Sequence, residues 1–366
     1  MFGEPEEQMS PEEYDLTDIQ ASGELIAVTL SGPDTYYEYR GQGFGLEFEI
    51  AEAFARSIGV RLRMEMAPDT ATLLRRLASG EVDIVALAMA DTSSCDELSA
   101  CRLKSGWLVR DASTQLAAAA NSWWHSDTRE HFAALERQRQ SPQNRVRRRM
   151  RPQMMGKGVI SSYDDLFRHH ASLIGWDWRL LAAQCYQESG FDPEAISWAG
   201  ARGLMQIMPA TASHLGLPIA DIHNPEANIA AAARYLRELS GLFSDIRDPG
   251  ERICFVLAAY NGGHGHVRDA MTLARKHGRN PQCWDDVDPY ILALANPATY
   301  RDPDVRYGYL RGSETSDYVS NIRARWRVYR GAAQPAPTSV PKNHNSRIRP
   351  RSSYLPDSII NIGETP

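Results

Sequence analysis

The chain has 366 residues, enough for two folded domains at roughly 100–200 residues each. Its 43% hydrophobic and 23% charged residues exclude wholesale disorder, collagen and coiled coil, and a net charge of −6 excludes a polycation built for nucleic acid. No apolar run, including 84–90, nears the ~20 residues of a membrane span.

Residues 1–21 are acidic and polar and read as a flexible arm. From 22 to 130 strand and helix signals alternate. Residues 24–30 are a short apolar and β-branched run, and 46–58 carry Leu46, Ile50, Ala53 and Phe54 at helical spacing. Residues 60–66 alternate with charge as a half-exposed strand does. Residues 70–78 place Leu73, Leu74 and Leu77 on one helical stripe, and 82–90 form a nearly all-apolar strand. A further strand at 107–110 leads into an Ala-rich helix ending near Trp124. This order predicts an α/β lobe with a largely parallel sheet.

Residues 131–159 form a basic linker, in which Arg145, Arg147, Arg148, Arg149, Arg151 and Lys157 would attract an anionic polymer in a salt-dependent way. Residues 160–330 read as almost entirely helical. Ser161 and Ser162 with Asp164 and Asp165 resemble a capping box, apolar stripes run through 173–186, 229–243 and 318–329, and Pro209, Pro225 and Pro249 suit first-turn positions. Residues 331–366, rich in Pro, Ser, Asn and Arg, are expected to be a disordered tail. The predicted class is α+β and multidomain, with an α/β lobe first and a mainly α domain second.

The five cysteines, Cys95, Cys101, Cys185, Cys254 and Cys283, are odd in number and contain no Cys-x-x-Cys pair, which argues against a zinc ribbon. Cys95 and Cys101 could pair locally or stay as free thiols. His264 and His266 lack a third ligand at metal-binding spacing, and His169 and His170 face apart on a helix, so neither metal nor cofactor is expected. The start, Met1-Phe2-Gly3-Glu4, has no apolar core and is not a signal peptide.

The chemistry concentrates in four clusters. In Trp178…Leu181-Ala182…Cys185…Glu188 the apolar positions fall at i, i+3, i+4 and i+7, and Glu188 continues the stripe at the helix C-terminus. Burial and the negative helix end both disfavour an ionised carboxyl, and a carboxyl kept protonated is what a general acid needs. The alternative is a buried glutamate paired with Arg202. In Gly200-Ala201-Arg202-Gly203-Leu204-Met205-Gln206, Gly203 would let backbone approach a ligand and Gln206 could hydrogen-bond an amide or hydroxyl. Tyr260-Asn261-Gly262-Gly263 is either a helix C-cap or a cleft wall. Glu314-Thr315…Tyr318-Val319 opens a helix. Of the tryptophans, Trp178 fits the core stripe and Trp198 is the better candidate for stacking on a sugar.

Taken in order, Glu-Ser-x-Phe-x-Pro from Glu188, Gly-Leu-Met-Gln-x-Met-Pro-x-Thr-Ala from Gly203, Ala-Tyr-Asn-x-Gly from Ala259 and Glu-Thr-x-x-Tyr-Val from Glu314 resemble the motif series of soluble-lytic-transglycosylase-type, lysozyme-like domains. The resemblance covers 160 to about 330. It implies cleavage of the β-1,4 bond between N-acetylmuramic acid and N-acetylglucosamine in peptidoglycan. It makes Glu188 the catalytic acid and base and sets Ser189, Met205, Gln206, Tyr260, Asn261, Glu314 and Tyr318 along the substrate cleft. One carboxyl suffices in that chemistry: Glu188 protonates the glycosidic oxygen, then accepts the proton of the muramyl 6-hydroxyl that attacks C1, leaving a 1,6-anhydromuramyl end. A water-using muramidase with Asp192 or Glu314 as second carboxylate is the alternative, and a non-catalytic wall-binding or signalling protein is another.

Residues 22–130 resemble one lobe of a solute-binding protein, the module that precedes the catalytic domain in relatives of membrane-bound lytic transglycosylase F. A second lobe has no room, and Thr92-Ser93-Ser94-Cys95-Asp96 stands where a Thr-x-Glu-Arg clamp is usual. The lobe is therefore expected to be regulatory or structural, with a muropeptide or protein regulator as its candidate partner. The loop Gly41-Gln42-Gly43-Phe44-Gly45 lacks dinucleotide spacing and reads as a mobile turn. Peptidoglycan as substrate implies a periplasmic or outer-membrane-associated protein whose leader is absent from this chain.

Overall fold

Helix α1, Leu16–Ser22, opens the described chain; the computed structural model describes residues 14–40, 42–89, 99–140 and 159–331. The helix falls inside the expected arm. The Asp15 carboxylate accepts the N–H of Leu16 at 2.8 Å and also those of Gln115 and Leu116 at 2.8 and 2.9 Å. One side chain thus caps two helix starts, while Ile19 sinks into the lobe core.

Strands β1 (Glu24–Leu30), β4 (Arg61–Ala67), β5 (Ile84–Val85), β6 (Ala100–Arg102) and β7 (Leu108–Arg110) form a sheet in the order β4-β1-β5-β7-β6. Alternate residues of β1 serve opposite faces. Leu25 and Ala27 pack with Ile50 and Phe54 of α2 (Leu46–Ser57) and Leu116 of α4 (Thr114–Trp123). Val28 packs with Leu73 and Leu77 of α3 (Thr70–Ala78).

The sheet is mixed, not largely parallel: β1 pairs in parallel with β4 and β5, but β7 runs antiparallel to both β5 and β6. The chain reaches β7 through a tight β6–β7 turn, with the Leu103 N–H on the Trp107 carbonyl at 2.8 Å, and no crossover helix intervenes to restore the direction. Among the described residues of the expected strand at 82–90, only Ile84 and Val85 are in regular strand. The clamp positions 92–96 and Cys95 lie outside the described residues.

Between β1 and α2 the strands β2 (Tyr37–Tyr39) and β3 (Gln42–Phe44) make a separate antiparallel hairpin. Helix α5, Thr128–Gln140, runs into the expected linker because Phe132 still packs on the lobe core. The basic residues from Arg145 to Lys157 and the tail from 332 lie outside the described residues.

Residues 159–331 are helical. The series is α6 (Asp164–Ser172), α7 (Trp178–Ser189), α8 (Pro209–His214), α9 (Pro225–Leu242), α10 (Pro249–Gly262), α11 (His264–Lys276), α12 (Trp284–Ala293), α13 (Pro297–Tyr300) and α14 (Gly312–Tyr329). Pro209, Pro225 and Pro249 do sit in first turns, where no N–H is missed. The capping box differs from expectation. Asp164 is the acceptor, taking the N–H groups of Ile160 and Ser161 at 2.9 Å, so it secures the incoming chain instead of its own helix. The stripe at 173–186 is broken at its start, since α6 ends at Ser172 and Leu173 is exposed.

One core joins α7 (Leu181, Ala182, Cys185) to α9 (Ile229, Leu236), α10 (Phe255) and α14 (Val319). Although the two halves have their own cores, they belong to one compact unit. Ser31, just after β1, accepts the Tyr309 N–H at 2.7 Å, Arg311 donates to the Tyr37 hydroxyl at 2.5 Å, and Tyr37 and Phe44 are buried against Ala199, Ala201 and Met208. Among the described residues no helix is long and apolar enough to cross a membrane.

Candidate active site

The last turn of α7 carries Glu188, and the sequence dictates where it points. Leu181, Ala182 and Cys185 are fully buried on one side of the helix, and Glu188 follows on the same side, 2% exposed. Gly190 ends the helix in the left-handed conformation at φ 68° and accepts no side-chain penalty there. The carboxylate projects into a cleft of about 360 Å³, lined on the helical side by Ser189, Trp198, Gln206, Asn261, Glu314 and Tyr318, among others.

Tyr318 of α14 donates its hydroxyl to Glu188 Oε1 at 2.6 Å and accepts from Gln184 Nε2 at 3.1 Å. Burial, then the neighbouring Glu188 charge, pushes the Tyr318 phenol well above its ordinary range, so it stays a donor. Of the expected cleft residues, Glu188, Ser189, Gln206, Asn261, Glu314 and Tyr318 line the same opening. Met205 stands behind it, and Tyr260 lines a smaller opening next to it that shares Gln206. Met205 is fully buried, and its carbonyl accepts the Tyr260 hydroxyl at 2.8 Å. Asn261 is itself held by the Thr315 hydroxyl at 2.9 Å, which ties α10 to α14.

Gln206 has left-handed backbone, φ 51°, uncommon for a residue with a side chain. Its amide nitrogen donates to the carbonyls of Ala195 and Gly203 at 3.1 and 2.9 Å, stitching the loop together. Gly203 serves packing and not a ligand. At φ 78°, an added Cβ would meet Asn228 Nδ2 at 2.4 Å and the Ile222 carbonyl at 2.6 Å. Asn228, fully buried, gave no signal in the sequence. It accepts the Met205 N–H at 2.8 Å and donates to the Ile222 carbonyl at 2.7 Å and the Arg202 carbonyl at 3.3 Å. Replacing Asn228 by Ala strands the Met205 N–H and the Ile222 carbonyl, each costing about 1–3 kcal/mol when unpaired, while the Arg202 carbonyl keeps the Ile207 N–H at 3.0 Å. We expect a stability loss of about 2 kcal/mol, twice the lower single-group value, read as a lowered urea midpoint at unchanged slope. A loss below about 1 kcal/mol would remove Asn228 as the loop's clamp.

The cation beside Glu188 is not Arg202. It is Arg40, at the end of β2 in the first half of the chain. Arg40 Nη2 lies 2.8 Å from Oε2 and 3.1 Å from Oε1, and Nη1 donates to the Gln206 carbonyl at 3.1 Å. The Arg40 side chain is 7% exposed and that of Glu188 0%. Burial pulls the guanidinium pKa down, but the Glu188 charge, Tyr39, Tyr318 and the hydrogen bond to Glu188 together hold Arg40 well above its ordinary value. Arg40 has φ 54°, so two left-handed residues with side chains, each costing about 1–2 kcal/mol, meet at this bond. Tyr39 lies flat on Trp198, ring centroids 5.5 Å apart and planes at 25°.

Neither Tyr39 nor Arg40 was legible as a site residue. The segment is a short aromatic run before a glycine turn, and only the tertiary fold carries it to Glu188. Asp192 also borders the cleft, and its carboxylate accepts the Glu194 N–H at 2.9 Å, the turn-capping role its place before Pro193 suggested. Trp178 is half-buried under Arg168 and Arg179. His266 is buried against Tyr307, with its pKa lowered to about 4 by burial. Among the described residues no three His, Cys, Asp or Glu side chains gather as a metal site.

The helical region thus presents a buried glutamate that closes an apolar helix and is faced by a tyrosine from the last helix. Residues 165–282 match the family described as Transglycosylase SLT domain. Membrane-bound lytic murein transglycosylase F of Aeromonas hydrophila subsp. hydrophila is 41% identical over 167 residues, 46% of this chain and 32% of that protein. The protein of the same name from Yersinia enterocolitica is 45% identical over 165 residues, 45% of this chain and 33% of its own length. The chain thus spans about a third of the length of the curated relatives it matches. Among solved structures, the 70 kDa soluble lytic transglycosylase of Escherichia coli is 25% identical with a TM-score of 0.34, covering 61% of this chain and 28% of that one.

Proposed function

We propose that the chain is a peptidoglycan lytic transglycosylase, with Glu188 as its single general acid and base. The observation that carries this reading is the position of Glu188. It is a buried carboxyl at the end of α7, opening on a cleft, with a tyrosine hydroxyl 2.6 Å from one oxygen. Support comes also from the SLT domain over 165–282 and from relatives named as lytic murein transglycosylases.

In this reading Glu188 protonates the oxygen that bridges N-acetylmuramic acid to N-acetylglucosamine, and the C1–O bond breaks. The muramyl 6-hydroxyl attacks C1, giving its proton to the Glu188 carboxylate. One bond to C1 is exchanged for another, the carboxyl recovers its proton, and no water is consumed. Tyr318 steers the carboxyl through both stages, and Trp198 offers a flat face to a sugar ring. Residues 160–330 form the catalytic domain, and 22–130 a solute-binding-type lobe that regulates or braces it. The substrate lies outside the cytoplasmic membrane, so the protein works in the periplasm or at the outer membrane.

Mass spectrometry of muropeptides released from purified sacculi tests this. We expect products ending in 1,6-anhydromuramic acid. Products heavier by one water, with reducing ends, would instead make the chain a hydrolytic muramidase.

A further inference from the structure

Gln184 sits one helical turn before Glu188 on α7 and is completely buried. Leu180, Leu181, Ala183 and Cys185 around it are buried too, and an apolar side chain would fill the place with no polar group to desolvate. Among the described residues the amide makes one hydrogen bond, from Nε2 to the Tyr318 hydroxyl at 3.1 Å, and its buried Oε1 has no partner. An unpaired buried oxygen costs stability. The protein carries that cost at Gln184, and what it obtains is a donor on Tyr318.

The direction of these hydrogen bonds follows from counting hydrogens. Tyr318 has a single O–H. It lies 2.6 Å from Glu188 Oε1, and burial together with the Glu188 charge keeps the phenol protonated. With that hydrogen on Oε1, the Tyr318 oxygen can only accept from Gln184, so it is the amide nitrogen that faces it. This has a consequence for the carboxyl. A proton on Oε1 would point at the Tyr318 oxygen, and Tyr318 would have to turn its own hydrogen toward Gln184, where an N–H already stands. Two donors would face each other, and the amide could receive the hydrogen only by turning over inside a packed core. Oε2 meets no such obstacle. Among the described residues it accepts only from Arg40, so no donor of the helical half competes for a proton there.

We propose that Gln184 is a positioning residue which, on the reading of Glu188 as the catalytic acid, holds Tyr318 as a one-way donor to Oε1 and so confines the catalytic proton to Oε2. Oε2 gives that proton to the glycosidic oxygen as the C1–O bond breaks. It takes a proton from the muramyl 6-hydroxyl as the new bond to C1 forms. Tyr318 and Gln184 exchange no proton in either step. One oxygen serves both, so the carboxyl need not rotate between them.

The test is Gln184→Met in the full chain, which keeps the length and bulk of the side chain and removes the donor, measured alone and on Tyr318→Phe. Three quantities are read: the initial rate of muropeptide release at saturating sacculi, the sacculus concentration that gives half this rate, and the urea midpoint. We expect the rate to fall about tenfold, the barrier equivalent of one net hydrogen bond. Half-saturation should not move, and the urea midpoint should stay at or above that of the parent. On Tyr318→Phe no hydroxyl remains to orient, and the same change should cost less than about twofold, the non-additivity of groups that act through one another. A parental rate, or an equal loss on both backgrounds, would overturn the proposal. So would a loss matched by a lowered urea midpoint, which marks a packing role. A parent that releases no muropeptide sinks the transglycosylase reading and the role of Gln184 with it, whereas a failure at Gln184 alone leaves an active parent.

Discussion

Replacing Glu188 by Gln is expected to abolish release of 1,6-anhydro muropeptides while leaving the protein folded. The amide keeps the shape of the carboxyl and still accepts the Tyr318 hydroxyl, but it can neither deliver nor take a proton. General acid–base catalysis is worth about 10²–10⁴-fold. One group is asked to act twice, so the loss should reach the upper end of that range. Asp192→Asn should be far milder, because the Asp192 carboxylate is occupied in holding the Glu194 N–H. Release by a folded Glu188→Gln protein within tenfold of the parent would refute the assignment, a tenfold change being about 1.4 kcal/mol of barrier.

The largest effect on stability is expected from Gly312→Ala. Helix α14 begins at Gly312 against α12, and a Cβ there would stand 1.9 Å from the Ile291 carbonyl oxygen and 2.6 Å from its carbon. Both atoms are backbone inside a helix and cannot rotate away. Either the two helices part or the first turn of α14 unwinds. We expect a cost of about 3 kcal/mol, the upper end for over-packing, together with loss of activity as Tyr318 is carried off Glu188. Gly262→Ala is the control. Its nearest obstacle is the Thr315 hydroxyl at 2.7 Å, the end of a side chain that can turn. Equal urea midpoints for parent and Gly312→Ala would disprove the clash.

Much of this was legible in the chain. Glu188 could be placed because the 3.6-residue repeat of Leu181, Ala182 and Cys185 forces its direction, and burial follows from that alone. Tyr318, Asn261 and Gln206 were found through their motifs; nothing in their local spacing points to a shared cleft. The strand signals at 24–30 and 60–66 held, the first as an apolar run packed on both faces, the second as an alternation with charge that leaves one face exposed. The direction of β7 was not legible, because apolar runs look alike whichever way they pair. Asn228 was hidden because a buried polar residue betrays itself only through partners far along the chain. Met205 was assigned to the cleft by motif, yet it stands one layer behind it, while Tyr260 lines the smaller opening beside it. Arg40 was the most deeply hidden, since its meaning depends wholly on where a hairpin from another core comes to rest.

That hairpin also sets an order of events during folding. The Arg40–Glu188 bond closes a loop of 148 residues, and the Ser31–Tyr309 bond one of 278. The entropy cost of such closures grows with the logarithm of their length, and neither partner is positioned until its own core has formed. The lobe leaves the ribosome before the helical half, so it is a finished surface when α7 is made. The helices can then assemble around their own apolar stripes first, with the long-range bonds coming last. A refolding chain should recover its helical signal before its tryptophan signal at Trp198, with the interval measuring how long the two halves coexist folded but undocked.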